Sequence, residues 1–454
     1  MNLMKKIPCL LSPALLLVLV SLLSVPLFAQ QEPQQQPQPA HEAPQVHETQ
    51  QAKEPPPAPV YPTPKVRTVT AFINIERDRY QIQLAEAVKL LHYARTVFES
   101  RGYTVQTLRI ATQPFSEYTK GLSREETIRF FKNLDGIAEQ EHLMLAIGPA
   151  YLSGDDGDAQ ADLLAEVIRT TKHIFGTVDV TNASGVNWPA VNAAARVIKN
   201  LSENTPRSEG NFRFSAIAEV PPYAPFFPAA YHTGSGHQFA IGLESANTVA
   251  AAFQNAPDYP TAKRRLIDAI VQQSFDVEAL ALRVDSEQGW TYMGLDLSPA
   301  PGKDASIGAA IETLTKQPFG SEGTLSAVMV ITSALKEVAA RKTGYSGLML
   351  PVLEDQRIAD RWNAGLVSIH SLLSYSSVCG TGLDTVPLPG DTSTESLSKI
   401  IGDVASLAVK WNKPLAARLL PVRGKSAGDR TEFTDPSLIN GIIQPITLGQ
   451  PQKN

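Results

Sequence analysis

The 454-residue chain carries 40 Lys and Arg against 45 Asp and Glu, a formal charge of −5, with 43% hydrophobic residues. This near-balance excludes general nucleic-acid binding, which needs a basic face, and the apolar content suits a globular protein with a sizeable core. Length alone admits two or three average domains, although α/β barrels run longer as single units.

The chain opens with Lys5 and Lys6, then an apolar run from Cys9 to Phe28, and Ala29 offers a small residue at a cleavage position. This pattern reads as a secretory signal over residues 1–29 and an exported, periplasmic or secreted protein. An uncleaved membrane anchor is the alternative, and it is the one route to the membrane that the sequence offers. Cleavage removes Cys9 and leaves Cys379 alone, so no internal disulfide is expected in the mature chain. Residues 30–65 are rich in Gln, Pro, Glu and Ala and hold almost no large apolar side chain. Such a stretch buries too little surface to offset its ordering entropy and reads as a disordered tether. Residues 66–454 read as a single domain.

Order begins at Val66, where a β-branched run to Ile73 predicts a strand. A helix follows from about Asp78 to Ser100, with Leu84, Val88, Leu91 and Ala94 at helical spacing and a stop at Gly102. Tyr103 to Ile110 predicts the next strand. Ser123 with Glu125 and Glu126 marks a helix start. His142 to Ile147 predicts another strand, and Asp155, Asp156 and Asp158 open another helix. Strands are predicted at Phe212–Val220, Phe239–Glu244 and Trp290–Leu297, with helices over 189–202, 245–256, 259–277, 304–316 and 324–341. Leu348–Leu353, Val378–Val386 and Ala417–Val422 complete the strand candidates. Strand–helix alternation of this kind implies right-handed crossovers and a parallel sheet, closed or doubly wound.

Several motifs match by letter and fail by context. Gly424-Lys425-Ser426-Ala427-Gly428 fits a serine elbow, but no helix follows to project the serine. The same residues end like a phosphate loop, yet Leu419 stands where its first glycine belongs. Gly380-Thr381-Gly382 and Gly234-Ser235-Gly236 each lack the third glycine of a dinucleotide fingerprint. Asp156-Gly157-Asp158 resembles a calcium-loop start, but Ala161 replaces the turn glycine.

The residues that point to a site are acids and glycines at strand ends. Glu244, Asp296, Glu354, Asp355, Asp384 and Asp391 fall at or just past predicted strand ends, where parallel strands would bring them to one rim. Some of them read equally as helix caps. His232, in Tyr231-His232-Thr233-Gly234-Ser235-Gly236-His237, sits beside glycine-rich backbone that a ligand can approach, and reads as an acid/base or a local hydrogen-bonder. Cys379 beside Gly380 reads as a nucleophile or a small buried hydrophobe.

Six motifs in this order resemble one family. They are Phe226-Phe227-Pro228-Ala229-Ala230-Tyr231-His232, Gly294 to Pro301, Pro351 to Asp355, Val378-Cys379 with Gly382-Leu383-Asp384, Pro389-Gly390-Asp391-Thr392, and Gly424-Lys425 with Gly428-Asp429. Over these, from about Val66 onward, the chain is similar to the DUF711 (UPF0210) proteins. The resemblance implies a closed α/β barrel of about ten mostly parallel strands surrounded by helices, similar to pyruvate formate-lyase-like enzymes, with a loop entering the interior. The Cys379 loop is the candidate for that loop.

Arg341-Lys342-Thr343-Gly344-Tyr345 shares spacing with a glycyl radical motif, but that motif belongs near a C-terminus. No glycyl radical is expected. The expectation is an enzyme acting on a small polar or anionic metabolite, with a non-catalytic solute-binding or envelope protein as the alternative. His232, Asp296, Glu354 and Asp384 are the catalytic candidates. Tyr231, Gly347, Cys379, Asp391, Lys425 and Asp429 are expected to touch the ligand, and the acids offer a place for a divalent metal ion.

Overall fold

Among the described residues, nine strands form one sheet in the order β10-β11-β7-β4-β3-β2-β1-β8-β9. In chain order they are β1 (Lys65–Ile73), β2 (Val105–Thr112), β3 (Met144–Ala150), β4 (Ile174–Asp179), β7 (Phe214–Ala218), β8 (Gln238–Glu244), β9 (Thr291–Ala300), β10 (Gly382–Pro389) and β11 (Leu415–Val422). A two-residue hairpin, β5 (Thr181–Asn182) and β6 (Gly185–Val186), stands apart. The computed structural model describes residues 61–150, 157–302 and 304–446. The expected secretory segment, the tether up to residue 60, and Asp155 and Asp156 lie outside the described residues. The last residues of the expected tether are packed: the Tyr61 hydroxyl donates to the Arg265 carbonyl (3.1 Å) and Gln273 Nε2 to the Pro62 carbonyl (2.8 Å).

Two blocks of opposite sense make up the sheet. β1, β2, β3, β4 and β7 are mutually parallel. β8 and β9 pair in parallel, as do β10 and β11, and both pairs join the first block antiparallel, through β1–β8 and β7–β11. Carboxyl ends of the two blocks therefore face opposite rims, and the expectation of one shared rim is corrected.

Side chains alternate between two apolar environments. From β1, β2 and β3, Val69, Ala71, Leu108, Ile110, Leu145 and Ile147 point outward into the large core beneath the helices. Phe72, Ala111, Ala146, Phe175 and Ala240 point the other way and pack with Ala230 and Phe227. β3 reads as the continuous apolar run of a strand buried on both faces, whereas β1 and β2 bury Thr68, Thr70, Arg109 and Thr112 among their apolar residues. Each fully buried Phe contributes roughly 2 kcal/mol to holding these layers together. Outside, the helices Tyr80–Glu99, Gly157–Thr170, Trp188–Asn204, Tyr259–Gln288 and Thr394–Trp411 cover the sheet. Their ends follow local chemistry. A Ser123–Glu126 capping box starts one, and Gly289, at φ 69°, stops another where a left-handed residue is required.

The loop inside the sheet is Val220–His232, joining β7 to β8, and not the Cys379 loop. The Pro225 carbonyl accepts from the Thr70 hydroxyl of β1 at 2.9 Å. Phe226 packs where any Cβ on Gly242 of β8 would stand. Among the described residues, no helix is long and apolar enough to cross a membrane.

The hydrogen-bonded ladder does not close into the expected ten-stranded barrel, because β9 and β10 do not pair with each other. The segment 341–353 lies between them and touches each by a single bridge, Leu295 with Lys342 and Pro351 with Asp384. Leu348–Leu353 therefore forms no regular strand: Pro351 has no N–H to give a ladder. In place of ladder carbonyls, the buried Asp296 carboxylate accepts the backbone N–H groups of Tyr345 (2.8 Å) and Ser346 (2.9 Å). Gly347 and Gly380 meet backbone to backbone, so a Cβ on either would clash with the other's Cα.

Candidate functional site

A cavity of ≈ 170 Å³ opens on the inner face of the sheet. β1, β2, β3, β4, β7, β9, β10 and β11 all contribute to its lining, so the sheet curls around it. Its walls are largely apolar, from Met144, Phe175, Phe212, Phe226, Phe227 and Met349. Set into these walls are three arginines, Arg67, Arg109 and Arg418, and two acids, Glu354 and Asp384.

Two β-bulges place the charged side chains. Between the pairs Leu383–Ala417 and Val386–Leu419, two residues of β10, Asp384 and Thr385, oppose the single Arg418 of β11. Asp384 is thereby set against Arg418, whose Nε donates to its carboxylate at 2.6 Å. The Thr385 hydroxyl meanwhile accepts the Leu353 N–H at 3.1 Å, which fixes the chain next to Glu354. The second bulge, between Val66 and Thr68, leaves Arg67 extra in the β1–β8 ladder. Arg67 reaches Glu244 at 3.5 Å and Glu354 at 3.9 Å. Glu244 is answered also by Lys65 at 3.1 Å.

Arg418 is the best-satisfied charge of the group. Its Nη2 donates to Glu354 Oε1, and its guanidinium lies 5.0 Å from the centroid of the Phe212 ring. Burial pulls the Arg418 pKa down, but the Asp384 and Glu354 carboxylates outweigh it and hold the group above its ordinary value. Glu354 is pushed above the usual carboxylate range by burial, although Arg418 pulls against that. The site thus holds a carboxyl whose proton affinity is raised, next to a permanently charged, forked donor.

Arg109 differs. It is 7% exposed and stands 5.0 Å from the centroid of the Phe227 ring. Among the described residues it makes one long hydrogen bond, Nη1 to the Pro225 carbonyl at 3.5 Å, and its buried Nε has no partner. Burial, reinforced by Arg67, lowers its pKa to about 9.

The expected convergence of His232, Asp296, Glu354, Asp384 and Asp391 does not occur. Glu354 and Asp384 line the cavity, and the other three do not. Asp384 lies near the start of β10 and Asp391 just past its end, which separates them by roughly 20 Å at strand rise. Asp391 is exposed. Asp296 is fully buried and accepts four donors, from Ser298 N, Ser298 Oγ, Tyr345 N and Ser346 N. His232 is held between the turn after β1 and the start of β8, Nδ1 3.0 Å from Asn74 Oδ1 and Nε2 2.7 Å from Gln238 Oε1. Burial pushes the imidazole pKa down, against the Gln238 amide oxygen, which favours a proton on Nε2. Asp355 caps the helix Gln356–Asn363 and accepts from Ser306 and Ile307.

The other ligand candidates also lie apart from the cavity. The Tyr231 hydroxyl donates to the Val220 carbonyl at 2.9 Å. Lys425 pairs with Glu432 at 2.7 Å, and Asp429 accepts the Ser426 N–H at 2.7 Å. Gly347 and Cys379 line a separate cavity of ≈ 350 Å³ with Lys336, Trp411 and Lys413. The Cys379 thiol is free and buried, and Lys413 Nζ donates to the Cys379 carbonyl at 2.8 Å. Among the described residues no three His, Cys, Asp or Glu side chains converge as metal ligands. In the cavity, guanidinium groups occupy the carboxylates instead.

Sequence reasoning followed acids at strand ends and passed over the arginines. Their signal was present, since Arg109 stands between Leu108 and Ile110, and Arg418 between Ala417 and Leu419. A charge inside a strand buried on both faces must be answered by a partner or a ligand.

The family model described as Uncharacterised ACR (DUF711) matches residues 62–437. The chain belongs to the DUF711 family. A UPF0210 protein of Pyrobaculum islandicum is 31% identical over 347 residues, covering 72% of this chain and 76% of that one. A UPF0210 protein of Oenococcus oeni is 28% identical over 406 residues, 81% of this chain and 88% of its own. One from Neisseria meningitidis is 25% identical over 368 residues, 76% and 80% of the two chains. The DUF711 match spans Arg67, Arg109, Glu354, Asp384 and Arg418, so the whole charged group lies inside the family region.

Proposed function

We propose that this DUF711 protein is an enzyme acting on a small polar or anionic metabolite enclosed by the curled sheet. One observation carries the reading: Glu354 and Asp384 share a buried guanidinium, Arg418, at the wall of a cavity lined largely by apolar side chains. Structural ion pairs occur on protein surfaces at little cost, but burying three charges costs several kcal/mol per ion before pairing. A cavity beside such a cluster is where perturbed carboxyls serve chemistry.

In this proposal Glu354 moves a proton, because burial raises the proton affinity of its carboxyl. Arg418 stabilises negative charge that develops on the substrate, in surroundings where water competes little. Asp384 holds the guanidinium in place. The twin lysines, apolar run and Ala29 at the amino terminus support export as part of the same proposal.

The test is turnover. Purified protein is incubated with a mixed panel of small carboxylic, hydroxy and amino acids, and consumption is followed by mass spectrometry. The wild type should consume at least one member, and Glu354→Gln should slow that consumption by about 100-fold or more while still binding it. Unchanged consumption by Glu354→Gln would remove the proton-transfer role. Binding without consumption would make this a solute-binding protein.

A further inference from the structure

The charges around the cavity are not evenly paired. At the sheet edge Lys65 pairs with both Glu244 and Asp304, and Arg67 also reaches Glu244. In the lining itself Arg67, Arg109 and Arg418 stand with Glu354 and Asp384. Arg418 engages both acids, and Arg67 reaches toward Glu354 and Glu244. Arg109 is the residue left without an ion pair among the described residues. It is not merely tucked away, because it forms part of the cavity lining.

A buried, unpaired guanidinium costs folding free energy, and burial lowers its proton affinity accordingly. A buried charge without a partner is expected when a ligand supplies the partner. The rest of the lining defines that ligand. Phe175, Phe226, Phe227, Met144 and Met349 surround an apolar body, and the Phe227 ring lies against the guanidinium itself. A cavity of ≈ 170 Å³ has room for a body on the order of ten non-hydrogen atoms.

We propose that Arg109 anchors a monocarboxylate with a compact apolar or aromatic body, its carboxylate seated on the guanidinium and its body against Phe227. This rests on the reading of the cavity as the substrate site and names the substrate class. A planar carboxylate matches the fork of a guanidinium, and its single negative charge supplies the partner that Arg109 lacks. Seated there, the substrate occupies the cavity that Glu354, Arg418 and Asp384 also line.

The experiment is a thermal-shift and calorimetric titration with phenylacetate, its neutral amide phenylacetamide, and inorganic phosphate. Each is titrated into the full chain, wild type and Arg109→Met. Phenylacetate should raise the wild-type melting temperature by about 3 °C at roughly a hundredfold excess over Kd. Phenylacetamide and phosphate should leave it unmoved. Arg109→Met should lose the phenylacetate shift while melting, without ligand, at or above the wild type, since an unpaired buried charge is gone.

A phenylacetate shift that survives Arg109→Met overturns the proposal. So does a phosphate shift larger than the carboxylate shift, the absence of any carboxylate shift, or a ligand-free Arg109→Met protein that melts well below the wild type. The enzyme reading fails separately. Carboxylate binding that depends on Arg109, with turnover indifferent to Glu354→Gln, leaves this proposal standing and removes the other.

Discussion

Arg418 and Asp384 meet across neighbouring parallel strands because a bulge sets two residues of β10 against one of β11, and Arg418 Nε donates to Asp384 at 2.6 Å. The same guanidinium turns its Nη2 to Glu354, which directly follows the segment 341–353 lying between the two sheet edges. One side chain therefore joins β11, β10 and the irregular crossing piece at the cavity wall.

Removing that side chain should be costly. Arg418→Met leaves two half-buried carboxylates with only the long Arg67 contact to Glu354 and should destabilise the fold by about 3 kcal/mol at neutral pH in urea unfolding. The deficit should shrink toward acid pH, as protonation removes the uncompensated charges. Arg418→Lys should recover little, because one ammonium cannot reproduce a donor fork aimed at two acids. A loss below about 1 kcal/mol would mean that this group is solvated like a surface pair.

Asp179 gives a pH signature. Burial pushes its carboxyl up to about 6, although the Thr181 N–H and hydroxyl both donate to Oδ1. Its folded pKa lies above the ordinary value, so the folded state holds the proton more tightly. The stability it contributes is present below about pH 4 and is lost as pH rises through 6. Asp179→Asn keeps an oxygen for both Thr181 donors. At pH 7 it should be more stable than wild type by up to about 3 kcal/mol, with the advantage vanishing near pH 4. Equal stability of the two proteins across that window would contradict the assignment.

The junction of the sheet edges is a packing prediction. Gly347→Ala and Gly380→Ala each put a Cβ against the other glycine's backbone and should cost about 1–3 kcal/mol. Because they act on one contact, the double variant should cost less than the sum of the two. Additive losses in denaturant titrations would show that the two glycines do not share it.

Asp296 separates structure from chemistry. Asp296→Asn keeps one oxygen and turns an amide toward backbone N–H donors at Tyr345 or Ser346. It should lower stability by about 1–3 kcal/mol through unsatisfied donors. Any loss of turnover should track the loss of folded protein. Full stability with abolished turnover would return Asp296 to the catalytic group.

Local pattern made much of the fold legible. The β-branched run of β1, the apolar run of β3 and the Ser123 cap gave elements where they stand. β4, six residues around Gly176, carried too short a run to be read as a strand. Strand sense was hidden because the antiparallel joins, β1–β8 and β7–β11, link segments far apart in the chain. At the site, Glu354 and Asp384 were found by their positions near strand ends. Arg67 and Asp384 are aimed inward by bulges, and bulges leave no mark in a hydrophobic pattern. His232 looked available beside its glycines, but its amide partner Asn74 lies in the turn after β1, beyond any local reading.

The most direct measurement is a crystal structure of the protein soaked with phenylacetate. The carboxylate should lie within hydrogen-bond distance of the Arg109 guanidinium, with the ring against Phe227 and facing Glu354. An empty cavity, or the anion bound at Lys425 or beside Cys379 and Lys413 instead, would contradict the account.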